Sequence, residues 1–113
     1  MDGITAQQVA HTQVMFRQAN ESIAETAAEY AMTQQIPLIC ECADDHCREI
    51  VQLSVEQYEH VRSSSTRFFT ATGHEAAAGP HGRVVEQRGT HVVVENVGRA
   101  AEAVTEADPR RAS

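Results

Sequence analysis

Between Pro37 and Leu53 the chain reads PLICECADDHCREIVQL, and this run holds every cysteine of the protein: Cys40, Cys42 and Cys47. Three thiols so close together in an otherwise apolar stretch either sit in a core as small apolar groups or converge as thiolates on something that neutralises them. An odd number leaves one thiol over from any disulfide framework. The first thirty residues carry Asp2, Glu21, Glu25 and Glu29 and have no basic start followed by an apolar core, and no segment is long and apolar enough to span a bilayer. A soluble, reducing, cytoplasmic setting is therefore expected, with the thiols available as metal ligands.

The chain also needs a ligand. Of its 113 residues only twenty-two are Leu, Ile, Val or Phe, whereas seventeen are Ala, and the formal charge is −7. Such a composition approaches that of disordered chains. Sixteen of the twenty-two large apolar residues lie within the sixty-two residues from Ile36 to Val97. A core of that size is marginal alone and is commonly stapled by a metal, disulfides or a partner.

On an extended segment Cys40 and Cys42, two apart, direct their sulfurs to one face, and Cys47 returns beyond the turn residues ADDH. Zinc takes such soft sulfur donors in tetrahedral geometry and needs a fourth ligand. His74, in TGHE, is the first candidate, because a glycine-containing turn after a strand can bring an imidazole to a strand end. Its rival is His46, which abuts Cys47 and ligates only if a local helical turn brings both side chains to one side. Competing readings of the thiols are buried structural cysteines or a redox pair of Cys40 and Cys42. His11, His60, His81 and His91 have no cysteine nearby and read as surface residues, and Glu75 reads either as a group orienting a ligand or as a solvated acid.

Around this cluster the chain divides into an N-terminal helix within residues 1–35, a zinc-binding α+β core over 36–97 and a flexible tail over 98–113, frayed apart from a short helix around Ala100–Thr105 before Pro109. From Thr5 to about Thr33 there is no Gly or Pro, and Val9, Phe16, Ile23 and Tyr30 recur every seven residues beside Ala19 and Ala27, flanked by Arg17, Glu21, Glu25 and Glu29. This stripe docks on the protein's own sheet or, alternatively, pairs with a second copy or another protein. Strands are expected over Leu38–Glu41 and Arg48–Leu53, then a helix opened by a Ser54/Gln57 capping box. A strand in TRFFTAT, a loop over GHEAAAGPHG and a hairpin in RVVEQRGTHVVVE with Gly89 at its turn follow. The fold class is α+β: a long N-terminal helix, a small, mostly antiparallel, zinc-stabilised sheet and one short helix.

FRxxNExI from Phe16, CxCxxxxC from Cys40, LSVEQYEHVR from Leu53, FxxxxGHE from Phe68, VVE from Val84 and HVVVEN from His91 together resemble an uncharacterised family of small proteins from high-GC Gram-positive bacteria. The resemblance covers Phe16 to Pro109 and implies that Cys40, Cys42, Cys47 and His74 belong to one unit. It implies no activity. The chain departs from the family's short acidic link after the histidine, with AAAGPHG in its place.

These features favour a non-enzymatic module with a structural zinc, binding an unidentified protein through the long helix or a sheet edge. One alternative is a sensor in which zinc loss or thiol oxidation changes the fold. Another is a hydrolase or deaminase-like enzyme with an open zinc position and Glu75 as general base. The chain lacks the deaminase signature, GxSxG, a phosphate-cradling glycine loop and HExxH. Nucleic acid is not an expected partner. Nine arginines and no lysine face sixteen acids, and Arg83, Arg88 and Arg99 are interleaved with Glu86, Glu95 and Glu102.

Overall fold

The computed structural model describes residues 3–112. Met1, Asp2 and Ser113, the outermost positions of the expected helix segment and tail, lie outside the described residues. The first helix, α1, spans Ala6–Glu29. Thr5 caps it in a reciprocal box with Gln8: the Gln8 N–H donates to Thr5 Oγ1, and the Thr5 N–H donates to Gln8 Oε1. The helix stops four residues before the expected Thr33. Met32 N–H donates to Ala27 O and Ala31 N–H to Ala28 O, with Ala31 at φ +51°. This closure normally uses glycine in the left-handed position, so an alanine there gives the sequence no stop signal.

Two short antiparallel sheets follow instead of one. Strands β1 (Ile36–Ile39) and β2 (Ile50–Leu53) pair with Ile36 opposite Leu53. Helix α2, Val55–Val61, starts at the predicted Ser54/Gln57 capping box. Strands β3 (Arg67–Thr70), β4 (Gly82–Gln87) and β5 (Val92–Asn96) form the second sheet in the order β3-β5-β4. The β4–β5 hairpin turns at Gly89 as expected, closed by Arg88 N–H donating to His91 O. Where a loop is expected, His74–His81 forms a 3-10 helix broken at Gly79, whose φ of +56° and ψ of −132° suit glycine.

Both faces of the second sheet are covered. Adjacent residues of β3 point to opposite sides, so Phe68 packs with Ala10 and Val104 while Phe69 joins Leu38, Leu53, Tyr58, Val61 and Val93. Val104 belongs to α3, Gly98–Glu106. The chain beyond Gly98, expected as a flexible tail, is thus a helix docked on α1, with Ala100 and Val104 fully buried. The short helix expected around Ala100–Thr105 is present and longer, but instead of fraying it packs against α1. The helical stripe is only partly as expected: Val9, Phe16 and Ala27 are buried and Ile23 half-buried, but Tyr30 is 74% exposed at the helix end.

Four of the nine buried residues of α1 are polar. Gln13, Arg17 and Asn20, spaced four and three residues apart, are buried along one side. Gln13 exchanges two hydrogen bonds with Asn96 of β5, at 3.1 and 2.7 Å. Arg17 donates to Ser65 O and Val104 O and lies 4.8 Å over the Phe68 ring. Burial, and then the nearby Arg62, lower the pKa of Arg17.

Candidate metal centre

The strand β1 ends at Ile39, so Cys40 and Cys42 lie just beyond it rather than within it. Cys40 N–H still donates to Glu49 O, which holds the two arms of the loop together. Between them Asp44 O accepts from Cys47 N–H, and Asp44 Oδ1 accepts from His46 N–H, which makes a tight turn of ADDH. The turn brings Cys47 back to the first two cysteines and throws His46 outward. The His46 side chain is 91% exposed and meets Asp45 at 3.0 Å.

His74 arrives from the other sheet. Gly73, at φ +94°, gives the backbone a conformation that residues with a Cβ resist, and it opens the 3-10 helix so that the imidazole faces the thiols. His74 Nδ1 lies 3.7 Å from Cys40 Sγ and 3.4 Å from Cys47 Sγ, and the four donor atoms of Cys40, Cys42, Cys47 and His74 all lie within 4.8 Å of one another. All three cysteines are free thiols and buried. Ala71 N–H donates to Cys40 Sγ at 3.2 Å, a bond that favours the charged sulfur.

The thiols share their protons unevenly. Cys42 is drawn down to about 5, first by the hydrogen bond from Cys40 and also by the backbone of Asp44 and the side chains of Cys47 and His74. Cys40 is pushed up strongly, by holding that proton toward Cys42 and by burial, and Cys47 is raised, chiefly by burial. One thiolate is thus stabilised by its neighbours, while two protons remain for a metal to displace.

Glu75 accepts a hydrogen bond from Gly73 N–H at 2.7 Å and so braces the turn that carries His74. Of the other histidines, His60 meets Glu86 at 2.8 Å, and His81 Nε2 lies 2.9 Å from Ile4 O. His91, expected at the surface, is buried edge-on against Phe69 with its Nδ1 at 3.0 Å from Thr90 Oγ1. It follows the hairpin turn and precedes β5, which carries it over the core. The arginine strip does not form a basic face at Arg88, which bonds Glu86 through two nitrogens.

Sequence reasoning missed Glu41, which stands between two of the cysteines and is completely buried. Its backbone N–H donates to Phe69 O, and its carboxylate accepts from Asn20 Nδ2 at 3.0 Å and from Phe69 N–H at 3.4 Å. Burial raises its pKa to about 7 against the pull of those bonds. An acid flanked by two candidate ligands was the available signal. No family model, curated protein or solved structure matches the chain.

Proposed function

We propose that Cys40, Cys42, Cys47 and His74 hold one zinc ion and that the protein is a zinc-stabilised, non-enzymatic interaction or regulatory module of the cytoplasm. The observation that carries this reading is the spacing of the donors. For a tetrahedral site with zinc–sulfur and zinc–nitrogen bonds of ordinary length, sulfur and nitrogen ligands stand about 3.6 Å apart. The S···N separations here are 3.4 and 3.7 Å. Soft sulfur donors favour zinc over harder cations. Four protein donors leave no coordination position for water, which argues for a structural rather than a catalytic ion. Burial of all three sulfurs favours a static site over a thiol-oxidation sensor.

The acidic net charge and the Arg88–Glu86 pairing support a protein partner rather than nucleic acid. Among the described residues no helix is long and apolar enough to cross a membrane. The resemblance to the small proteins of high-GC Gram-positive bacteria belongs to the same proposal. Metal analysis of the native protein by mass spectrometry is expected to find one zinc per chain. His74→Ala should empty the site and lower the melting temperature, whereas His46→Ala should keep its zinc. A filled site in the His74 variant with an empty one in the His46 variant would reverse the ligand assignment, and a metal-free wild type would remove the reading. Affinity capture with the intact, zinc-loaded protein would then identify the partner.

A further inference from the structure

The segment that carries Cys40 is hydrogen-bonded to α1 through the side chain of Asn20. Residues 39 and 41 of a strand turn their backbone groups to the side opposite residues 38 and 40. In this chain Cys40 N–H faces the β2 side, donating to Glu49 O, so the groups of Ile39 face α1. No strand lies there. Instead Asn20, fully buried, accepts from Ile39 N–H at 2.8 Å and donates to Ile39 O at 2.7 Å, as a neighbouring strand would. The same amide donates to Glu41 Oε2, and Glu41 is tied to β3 through both Phe69 N–H and Phe69 O. The two residues flanking Cys40 are therefore clamped from α1 and from β3, and the Cys40 sulfur receives Ala71 N–H from the end of β3.

We propose that Asn20 and Glu41 are positioning residues for the Cys40–Cys42 ligand pair, and that through them metal occupancy and the docking of α1 are thermodynamically linked. The proposal rests on the zinc reading above. Groups that hold ligands in place are typically worth about ten- to a hundredfold in metal affinity. Linkage is reciprocal, so whatever strengthens metal binding through Asn20 must tighten α1 by the same factor, and a partner that drew α1 away would weaken the site. The other buried amide of the same helix face, Gln13, supplies the control. Gln13 bonds Asn96, in a strand that carries none of the four donors, so losing it costs fold stability without touching the site.

The test is a competition titration of the full chain with zinc against a chromophoric chelator, run on wild type, Asn20→Asp, Glu41→Gln and Gln13→Ala well below each melting temperature. Asn20→Asp keeps the acceptor for Ile39 N–H and loses both donated bonds. Each of the first two variants should bind zinc about ten- to a hundredfold more weakly, with altered ligand-field bands when cobalt replaces zinc. Gln13→Ala should melt earlier yet keep its affinity within about threefold of wild type. Combining Asn20→Asp with Glu41→Gln lets the new amide donate to the new carboxylate, and part of the affinity should return. Hydrogen exchange of the unmodified protein gives a second measurement: removing the metal should cost protection around Asn20 more than around Val9. Unchanged affinity in both Asn20→Asp and Glu41→Gln would overturn the inference and leave the zinc reading standing. So would an equal loss in Gln13→Ala, or protection indifferent to metal. Failure of the wild type to bind zinc or cobalt would overturn both.

Discussion

The cysteine cluster and the junction of α1, α2 and α3 both bury ionisable groups, and they satisfy them differently. At the junction every charge finds an opposite or a dipole within the chain. Arg62 donates to Asp108 at 2.7 Å and to Glu21 at 3.3 Å, and Ser65 Oγ and Arg110 N–H complete Asp108. Tyr58 Oη donates to Glu21, and Arg110 bridges Glu21 and Glu59. At the cluster three sulfurs face one another and an imidazole, and among the described residues no guanidinium bonds any of them. The first arrangement is neutralised by the chain's own groups, with only Arg62 Nη1 left buried without a hydrogen-bond partner among the described residues of the junction. The second has no such partner within the described residues, and under the proposed zinc reading a cation completes it and adds stability that the few large apolar residues do not supply.

Taking the cation away should therefore be the largest perturbation. With a strong chelator, calorimetry should show the melting temperature falling further than for any single substitution at the junction. Zinc-finger sites contribute on the order of 10 kcal/mol or more. Order should be lost first in β1, β2 and the His74–His81 turn, and a melting curve indifferent to chelator would erase the contrast. Next in size, Asp108→Ala leaves Arg62 buried without its main partner and should cost about 3–5 kcal/mol in denaturant unfolding while zinc content stays unchanged. Zinc loss in that variant would show that the two regions are not separable.

Acid probes the junction in the metal-free protein. Burial pushes Asp108 up, but bonds from Arg62, Ser65 and Arg110 N–H outweigh it and hold the carboxyl well below its ordinary 3.8. Burial of Glu21 is likewise outweighed by Tyr58, Arg110 and Arg62, which keep it below 4.5. Groups with depressed folded values stabilise the protein above their ordinary values and lose that contribution as pH falls through the folded ones. The urea midpoint of the apo-protein should thus vary little on account of these two groups between pH 7 and about 5 and fall below about 4, with a shallower fall in Asp108→Asn. A smaller effect is expected at His91, whose loss to alanine should cost about 1–3 kcal/mol by removing its packing on Phe69, while the exposed His11→Ala stays within about 0.5 kcal/mol. Least of all, Ala31→Gly should raise stability by up to about 1 kcal/mol, because glycine relieves the left-handed φ.

Local chemistry was legible in the sequence, and distant pairing was not. The existence of α1 as a long helix followed from its lack of Gly and Pro, though its end did not, the start of α2 from Ser54 and Gln57, and the hairpin from Gly89. The closeness of Cys40, Cys42 and Cys47 is likewise a matter of a few residues, and a turn glycine pointed to His74. Arg17 illustrates the opposite case. Its acceptors are 48 and 87 residues away, so nothing near it distinguishes a buried guanidinium from a solvated one. Asn20, Glu41 and His91 were hidden for the same reason, and so was the docking of α3 on α1, though its helix around Ala100–Thr105 was not.

The polar face of α1 sets an order of events during synthesis. Its first partner to leave the ribosome is the Ile39–Glu41 segment, whereas Asn96 and Val104 are made last. His74 emerges thirty residues before Val104, an interval of roughly 1.5 to 6 s at ordinary translation rates. For that interval the helix can be held through Asn20, through Glu21 with Tyr58 and Arg62, and through Arg17 with Ser65 O, while Gln13 still lacks Asn96 and Arg17 its second acceptor, Val104 O. A nascent chain that captures its ion as soon as His74 appears would carry α1 already aligned toward the strands that complete it.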